Sequence, residues 1–249
     1  MFYFDDFFGR KILKSTLLAE YDCFFTTRDF VLTSAALSEL TEKAEQNRLF
    51  LKEKLECQTI TTANQVHGCN IEIVTNEKSF YDNTDALVSN ITDSLLLMNF
   101  ADCTPIILYS PKDNTGAVVH AGWRGTFLEI ASKTVEKMNK LLNIKSEDIT
   151  ALIGPAISKC CFETDEDVFY KLIKDKSDTA LYTKKGEKYF IDLKLLNYNQ
   201  LINAGIKNID VCDYCTFCMS DIFFSYRKEK GITARHSAVV KIRGDKTCL

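Results

Sequence analysis

Proline and glycine are scarce, with three prolines and ten glycines in 249 residues. No stretch therefore reads as a Pro/Gly/Ser linker, a low-complexity tail or a set of internal repeats. Length alone allows one domain or two, and the missing linker makes a single domain over residues 1–249 the expectation. A basic excess is also missing. The formal charge is −3 with the lysines spread along the chain, which argues against a nucleic-acid or membrane-surface partner. No apolar run approaches the length that spans a bilayer, and the longest, around Leu95 to Met98, reads as a strand. Met1-Phe2-Tyr3-Phe4-Asp5-Asp6 has neither a basic n-region nor a small-residue cleavage site, so no signal peptide is expected and the expected compartment is the cytoplasm.

Cysteine is plentiful, at ten residues. In a chain of this length, with irregular spacings and no secretion signal, reduced thiols acting as small buried hydrophobes are expected rather than a disulfide framework.

Strand and helix periodicities alternate. Strands are expected at Asp22–Thr27, Gln58–Asn64, Ile71–Val74, Ala86–Ser89, Leu95–Asn99, Pro105–Tyr109, Ala117–His120, Ile209–Cys212, Phe223–Tyr226 and Ala234–Ile242. An amphipathic helix is expected over Ser38–Glu56, and another from about Gly125, with Leu128, Ala131, Val135, Met138 and Leu142 as its apolar stripe. Thr164-Asp165-Glu166-Asp167 reads as a capping box opening a helix through Ile173, and Asp192 as the cap of a helix stopping at Gly205. Dense strands with several intervening helices predict an α+β fold with mixed sheets.

Chemistry gathers at strand ends. Histidine occurs three times. His67 and His120 each end an expected strand before a glycine-bearing turn, and Ala101-Asp102-Cys103 lies between two apolar strands. Two imidazoles and a thiolate make a three-ligand zinc set with a fourth position open. A catalytic Cys-His pair without metal, or hydrogen-bonded core residues, fits the same spacing. Gly122, Arg124 and Gly125 open a helix whose free N–H groups could cradle an anion, or form an ordinary strand–helix turn. Trp123, the single tryptophan, suits a planar ligand or the core. Cys212-x-x-Cys215-x-x-Cys218 looks like half of a metal site, but no further pair follows it, so packed thiols are expected. Arg227, Arg235 and His236 flank the last strand, either facing the site or in surface ion pairs.

Five motifs in order carry a resemblance: Gln65-Val66-His67-Gly68, Ala101-Asp102-Cys103, His120-Ala121-Gly122-Trp123-Arg124-Gly125, Ile153-Gly154-Pro155-Ala156-Ile157 with Cys161-Phe162-Glu163, and Phe223-Phe224-Ser225-Tyr226-Arg227. Together they resemble the YfiH family, also called the laccase-domain or polyphenol oxidase family, over roughly Cys23 to Ile242. The resemblance implies a layered α/β/β/α sandwich shared with the cytotoxic necrotising factor deamidases. It implies zinc, with copper as the other candidate, bound by His67, Cys103 and His120. It also implies phosphorolysis of adenosine, inosine and methylthioadenosine, together with hydrolytic deamination of adenosine. Purine nucleosides and phosphate are then the expected partners. Two positions depart from the family pattern: Thr27-Arg28-Asp29-Phe30 keeps the arginine but lacks both following glycines, and Phe100 stands where a small polar residue is usual.

On this reading His67, Cys103, His120 and Asp102 are catalytic, with Asp102 shuttling protons or orienting a ligand histidine. Arg28, Gln65, Arg124 and Arg235 are the candidates for binding substrate and phosphate. The alternatives are a Cys-His amidase that edits cell-wall precursors, with Cys103 as nucleophile and His120 as base, and a copper-dependent polyphenol oxidase. Three histidines cannot build the trinuclear copper cluster of a genuine laccase.

Overall fold

The structure, a computed structural model, describes residues 1–32, 41–76, 78–173, 178–231 and 234–244. Its largest sheet has seven strands in the order β1 (Phe2–Asp6), β2 (Lys11–Ser15), β3 (Cys23–Thr26), β16 (His236–Lys241), β8 (Ser94–Phe100), β4 (Thr59–Ala63) and β6 (Phe80–Tyr81). A second sheet has six: β15 (Asn208–Val211), β11 (Thr150–Ile153), β9 (Thr104–Ser110), β10 (Thr115–Ala121), β7 (Ala86–Ser89) and β5 (Ile71–Ile73). A small third sheet runs β12 (Glu163–Thr164), β14 (Lys188–Ile191) and β13 (Tyr182–Lys185). Parallel and antiparallel pairs occur in each of the two large sheets.

The two-residue side-chain period of the strands builds the layers. In β8, Leu96, Met98 and Phe100 face a core shared with Ile107, Tyr109 and Val118 of the second sheet, while Leu95 and Leu97 turn outward. That outer face packs on Leu51 and Leu55, at the end of helix α1 (Thr41–Lys54). In β10, Val118 points between the sheets, and Ala117, Val119 and Ala121 pack against Ile130, Ala131, Val135 and Met138 of α3 (Ile130–Leu142). Leu201 of α5 (Leu193–Asn203) joins the same layer. The α+β class expected from the periodicity and the helix–sheet–sheet–helix order implied by the resemblance are both present.

Several elements differ from expectation. Ser38 to Leu40 of the first expected helix lie outside the described residues. The helix expected near Gly125 is two: α2 (Trp123–Phe127) and α3, separated by Glu129 at φ 61°. A left-handed residue breaks the hydrogen-bond ladder, and Leu128 falls in the break, 36% exposed and off the apolar stripe. Thr164 does not cap α4 (Glu166–Ile173). It lies in β12, its hydroxyl donating to the Tyr189 carbonyl, and Asp165 pairs with Lys188. Asp192 does cap α5, accepting from the Leu195 N–H at 3.0 Å, and Gly205 follows the helix at φ +90°.

Phe223–Tyr226 is an irregular segment that enters a turn at Tyr226 rather than a strand. Side chains satisfy its backbone in place of a ladder: Arg28 Nε donates to the Ser220 and Phe223 carbonyls, Ser225 N–H donates to Glu229, and Arg227 N–H donates to Asp102. No helix among the described residues is long and apolar enough to cross a membrane.

Candidate functional site

Strand register assembles the site. In the β9–β10 pair, Ala121 lies opposite Thr104 and His120 opposite Pro105, so Cys103 and Gly122 leave their strands side by side. His120 follows Val118 in the side-chain alternation and looks between the sheets, 5.5 Å from the Phe100 ring. The parallel β4–β8 pair aligns Ile60 with Leu95 and Thr61 with Leu96. The ends of both strands therefore meet at the same place, and the turn after β4 delivers His67. Glycine at 122 lets the turn approach the donors closely: a Cβ there would lie 3.1 Å from Cys103 Sγ and 3.2 Å from His67 Cδ2, crowding both.

The donor atoms of His67, Cys103 and His120 lie within 4.8 Å of one another. Asp85, fully buried, organises them. Its carboxylate accepts from His120 Nδ1 at 2.8 Å, from His67 N–H at 2.9 Å and from Gly68 N–H at 2.7 Å. Its pKa is lowered: burial pushes it up, and the hydrogen bond and charge of His120 with the two backbone N–H groups more than offset that. Burial likewise pushes the Cys103 thiol up, but the charge and hydrogen bond of His120, joined by those of His67, bring it down to about 6. Burial works against a charged His120, yet Cys103 and Asp85 lift it to about 9. The pair favours thiolate and imidazolium.

This trio, with His67 exposed and His120 buried, lines a cavity of about 530 Å³, a size typical of small-molecule sites. Trp123, Phe162 and Tyr226 supply ring surface in its lining, Asn64, Gln65 and Asn99 amides, and Arg227 and Arg235 guanidinium groups. Trp123 does both things its sequence allowed, packing on the small-sheet core while lining the cavity.

The sequence-derived candidates divide. His67, Cys103, His120, Asp102, Gln65 and Arg235 all line the cavity. Asp102 does not orient a histidine. Its carboxylate accepts from Thr216 Oγ1 and Arg227 N–H, both at 2.7 Å, and Asp85 takes the orienting role. Gln65 bonds the Asn99 backbone in both directions, bracing β8 against the His67 turn. Arg28 is not in the lining: it holds two carbonyls, pairs with Glu229 and lies over Phe224. Arg124 is not in the lining either. It is exposed, its guanidinium 4.3 Å from the Trp123 ring centre, and the five-residue α2 offers little as an anion cradle. His236 is buried between Phe100 and Phe223 instead of facing the cavity. Packed thiols describes Cys212, 1% exposed, but not Cys218, which is exposed.

Fold and site together define an α/β/β/α sandwich protein with a histidine–thiolate centre in the wall of a small-molecule cavity. The family model described as multi-copper polyphenol oxidoreductase laccase matches residues 32–243, and the chain belongs to this laccase-domain, or YfiH, family. The purine nucleoside phosphorylase YlmD of Geobacillus stearothermophilus is 34% identical over 197 residues, covering 74% of this chain and 72% of the relative. The purine nucleoside phosphorylase YfiH of Shigella flexneri is 32% identical over 192 residues, covering 76% and 77%. The crystal structure of YlmD from Geobacillus stearothermophilus superposes with a TM-score of 0.84 at 28% identity, over 97% of this chain and 99% of that one. That of the hypothetical protein YfiH from Bacillus licheniformis gives 0.83 at 26%, over 93% and 96%.

Proposed function

We propose that this chain is a metal-dependent purine nucleoside phosphorylase acting on adenosine, inosine and methylthioadenosine, and that the same centre deaminates adenosine. The carrying observation is the meeting of the His67/Cys103/His120 trio, a ring-bearing wall and two arginines in one cavity of about 530 Å³. The names of relatives at 34% and 32% identity, both purine nucleoside phosphorylases, support the phosphorylase part of this reading.

The donor set fits a divalent ion. Two imidazoles and a thiolate are a zinc set, and Asp85 holds Nδ1 of His120, leaving Nε2 as the free donor. His67, Cys103 and His120 would hold zinc, or copper, and the ion when bound would supply Lewis acidity. The purine lies against Trp123, Phe162 and Tyr226. Arg227 and Arg235 neutralise phosphate and direct its oxygen at the anomeric carbon. A C–O bond forms there as the glycosidic C–N bond breaks and the proton of the hydrogen phosphate passes to the leaving purine nitrogen, giving the free base with ribose 1-phosphate, or with 5-methylthioribose 1-phosphate from methylthioadenosine. In the second reaction, water replaces the exocyclic amine of adenosine and ammonia leaves.

A second reading has its own observation. Asp85, His120 and Cys103 form a carboxylate–imidazole–thiol chain suited to a Cys-His amidase, such as one trimming peptidoglycan precursors. Polyphenol oxidation by a trinuclear copper cluster is excluded by a total of three histidines.

The test is chromatographic: adenosine or inosine with purified protein, with and without phosphate, beside Cys103→Ala. The expected outcome is phosphate-dependent release of free base, with ammonia and inosine from adenosine, all lost in the variant. Nucleosides left intact by protein carrying its full metal content reject the assignment. Covalent trapping of Cys103 by an amide-directed electrophile, in chelator-treated protein that keeps its activity, would transfer it to the amidase.

A further inference from the structure

Outside the cavity, four cysteines come together. The sulfurs of Cys160, Cys161, Cys215 and Cys218 all lie within 4.8 Å of one another. Cys218 Sγ is 3.5 Å from that of Cys161 and 3.8 Å from that of Cys160, and all four are free thiols. Sequence spacing conceals the group: it pairs Cys215 and Cys218 with Cys212, whereas the fold sends Cys212 into the core and brings in two cysteines 57 and 58 residues from Cys218.

Apolar packing does not account for the gathering, since Cys160 and Cys218 are exposed. Metal geometry does. Four thiolates around zinc at about 2.3 Å define a tetrahedron with edges of about 3.8 Å. Cys218 already stands about one edge from two neighbours, and the widest separation closes with a shift of about 1 Å. An iron–sulfur cluster, whose cysteines ligate different irons, needs wider spacing.

The backbone is arranged for thiolates. Cys160 and Cys161 sit on a turn in which the N–H groups of Cys161 and Phe162 both donate to the Ser158 carbonyl at 2.9 Å. Cys215 and Cys218 bracket a second turn, closed by Met219 N–H to the Cys215 carbonyl at 2.9 Å. The Cys215 sulfur accepts from Ser158 N–H at 3.4 Å. A neutral thiol is a weak acceptor, so a backbone N–H aimed at it suits the anionic sulfur of a metal thiolate.

We propose that Cys160, Cys161, Cys215 and Cys218 bind one structural zinc ion, separate from the His67/Cys103/His120 centre. Four thiolates complete the tetrahedron and leave no position for substrate. The ion joins two loops that carry the cavity wall: Phe162 follows one cysteine pair, and Tyr226 and Arg227 follow the other. Between Cys215 and Cys218, Thr216 donates through its hydroxyl to Asp102 and through its N–H to the Ala156 carbonyl. The zinc therefore fixes the position from which Asp102 and Arg227 are held.

Metal counting tests this independently of catalysis. Full-length protein purified without chelator is compared with Cys103→Ala, Cys160→Ser/Cys218→Ser and the triple variant by mass spectrometry. Both serines replace exposed side chains, which spares the core. The serine pair is expected to remove one zinc per chain from either background, whatever the occupancy of the cavity. Cobalt-loaded Cys103→Ala is expected to show thiolate-to-cobalt charge transfer that the triple variant lacks. Equal zinc counts with and without the serine pair would overturn the proposal. So would a Cys103→Ala protein with no thiolate–cobalt absorption, or anaerobic thiol titration showing these cysteines paired as disulfides. An empty cavity centre with the serine pair still removing zinc would count against the metal of the proposed function alone.

Discussion

Asp85 governs the site at the scale of the residue. One buried carboxylate fixes the ring of His120 through Nδ1 and the turn of His67 through two backbone N–H groups. His67 needs that anchorage because it sits at φ 61°, a left-handed conformation that costs a non-glycine residue about 1 kcal/mol or more. An amide in place of the carboxylate loses charge and one acceptor while keeping the shape. Asp85→Asn is therefore expected to weaken metal retention by about 10–100-fold, read by competition with a chromophoric chelator. Unchanged retention would remove Asp85 from the centre. Gly122→Ala probes the same spot from the other side. A methyl group 3.1 Å from Cys103 Sγ and 3.2 Å from His67 Cδ2 forces the donors apart. The variant is expected to keep its far-ultraviolet circular dichroism and lose zinc; a folded variant with full zinc would contradict the crowding argument.

At the scale of elements, close approach between layers decides what is tolerated. Gly154, after β11, faces β3 so closely that an added Cβ would lie 2.4 Å from Cε1 of Phe25. Phe25 is fully buried and has no room to retreat. Gly154→Ala is expected to destabilise the fold by about 1–3 kcal/mol, as overpacking does in a dense core, measured as a lower urea midpoint. The Ile153-Gly154-Pro155 motif thus has a packing reason independent of chemistry. Elements with a clean period were legible from sequence: β7, β8, β10 and α5 carry continuous or alternating apolar residues and proper caps. The histidine–thiolate trio was legible because its polar residues stand beside the ends of apolar strands: His67 in the turn after β4, Cys103 between β8 and β9, and His120 at the end of β10. The β1–β2 hairpin was missed because β1 is nowhere fully buried and so shows no clear alternation. Phe223–Tyr226 was misread because its apolar residues are buried in an irregular segment that side chains hold. Asp85 escaped notice because a carboxylate before an apolar strand carries no signal until the fold sets His120 beside it.

The molecule as a whole carries a pH dependence that begins at its third histidine. His236 opens β16, opposite Phe100 in register, where the strand joins β3 to β8 in the middle of the large sheet. It is fully buried, with the Phe223 ring at 5.5 Å and that of Phe100 at 6.5 Å. Burial, with the charges of Arg235 and Arg28 nearby, pushes its pKa down to about 3 despite the Pro155 carbonyl, which favours the charged form. The unfolded chain takes up a proton near pH 6.5 that the folded chain refuses until about pH 3. Stability therefore falls as pH drops through this window, by up to about 1.4 kcal/mol per unit. His120 behaves oppositely: its raised pKa gives stability that is complete below pH 6.5 and lost only as pH rises towards 9. Asp85, with its lowered pKa, adds loss only near and below the ordinary carboxylate range. Between pH 5 and 6.5 Cys103, lowered to about 6, adds a fall of the same sign, but it and proton competition at the other ligands are common to wild type and variant, so the difference between their slopes reports His236. His236→Phe is expected to unfold in urea with a midpoint that declines less steeply than wild type over that interval. Parallel declines would show that the buried imidazole is protonated in the folded state, and that the sheet accommodates a charge where its interior is driest.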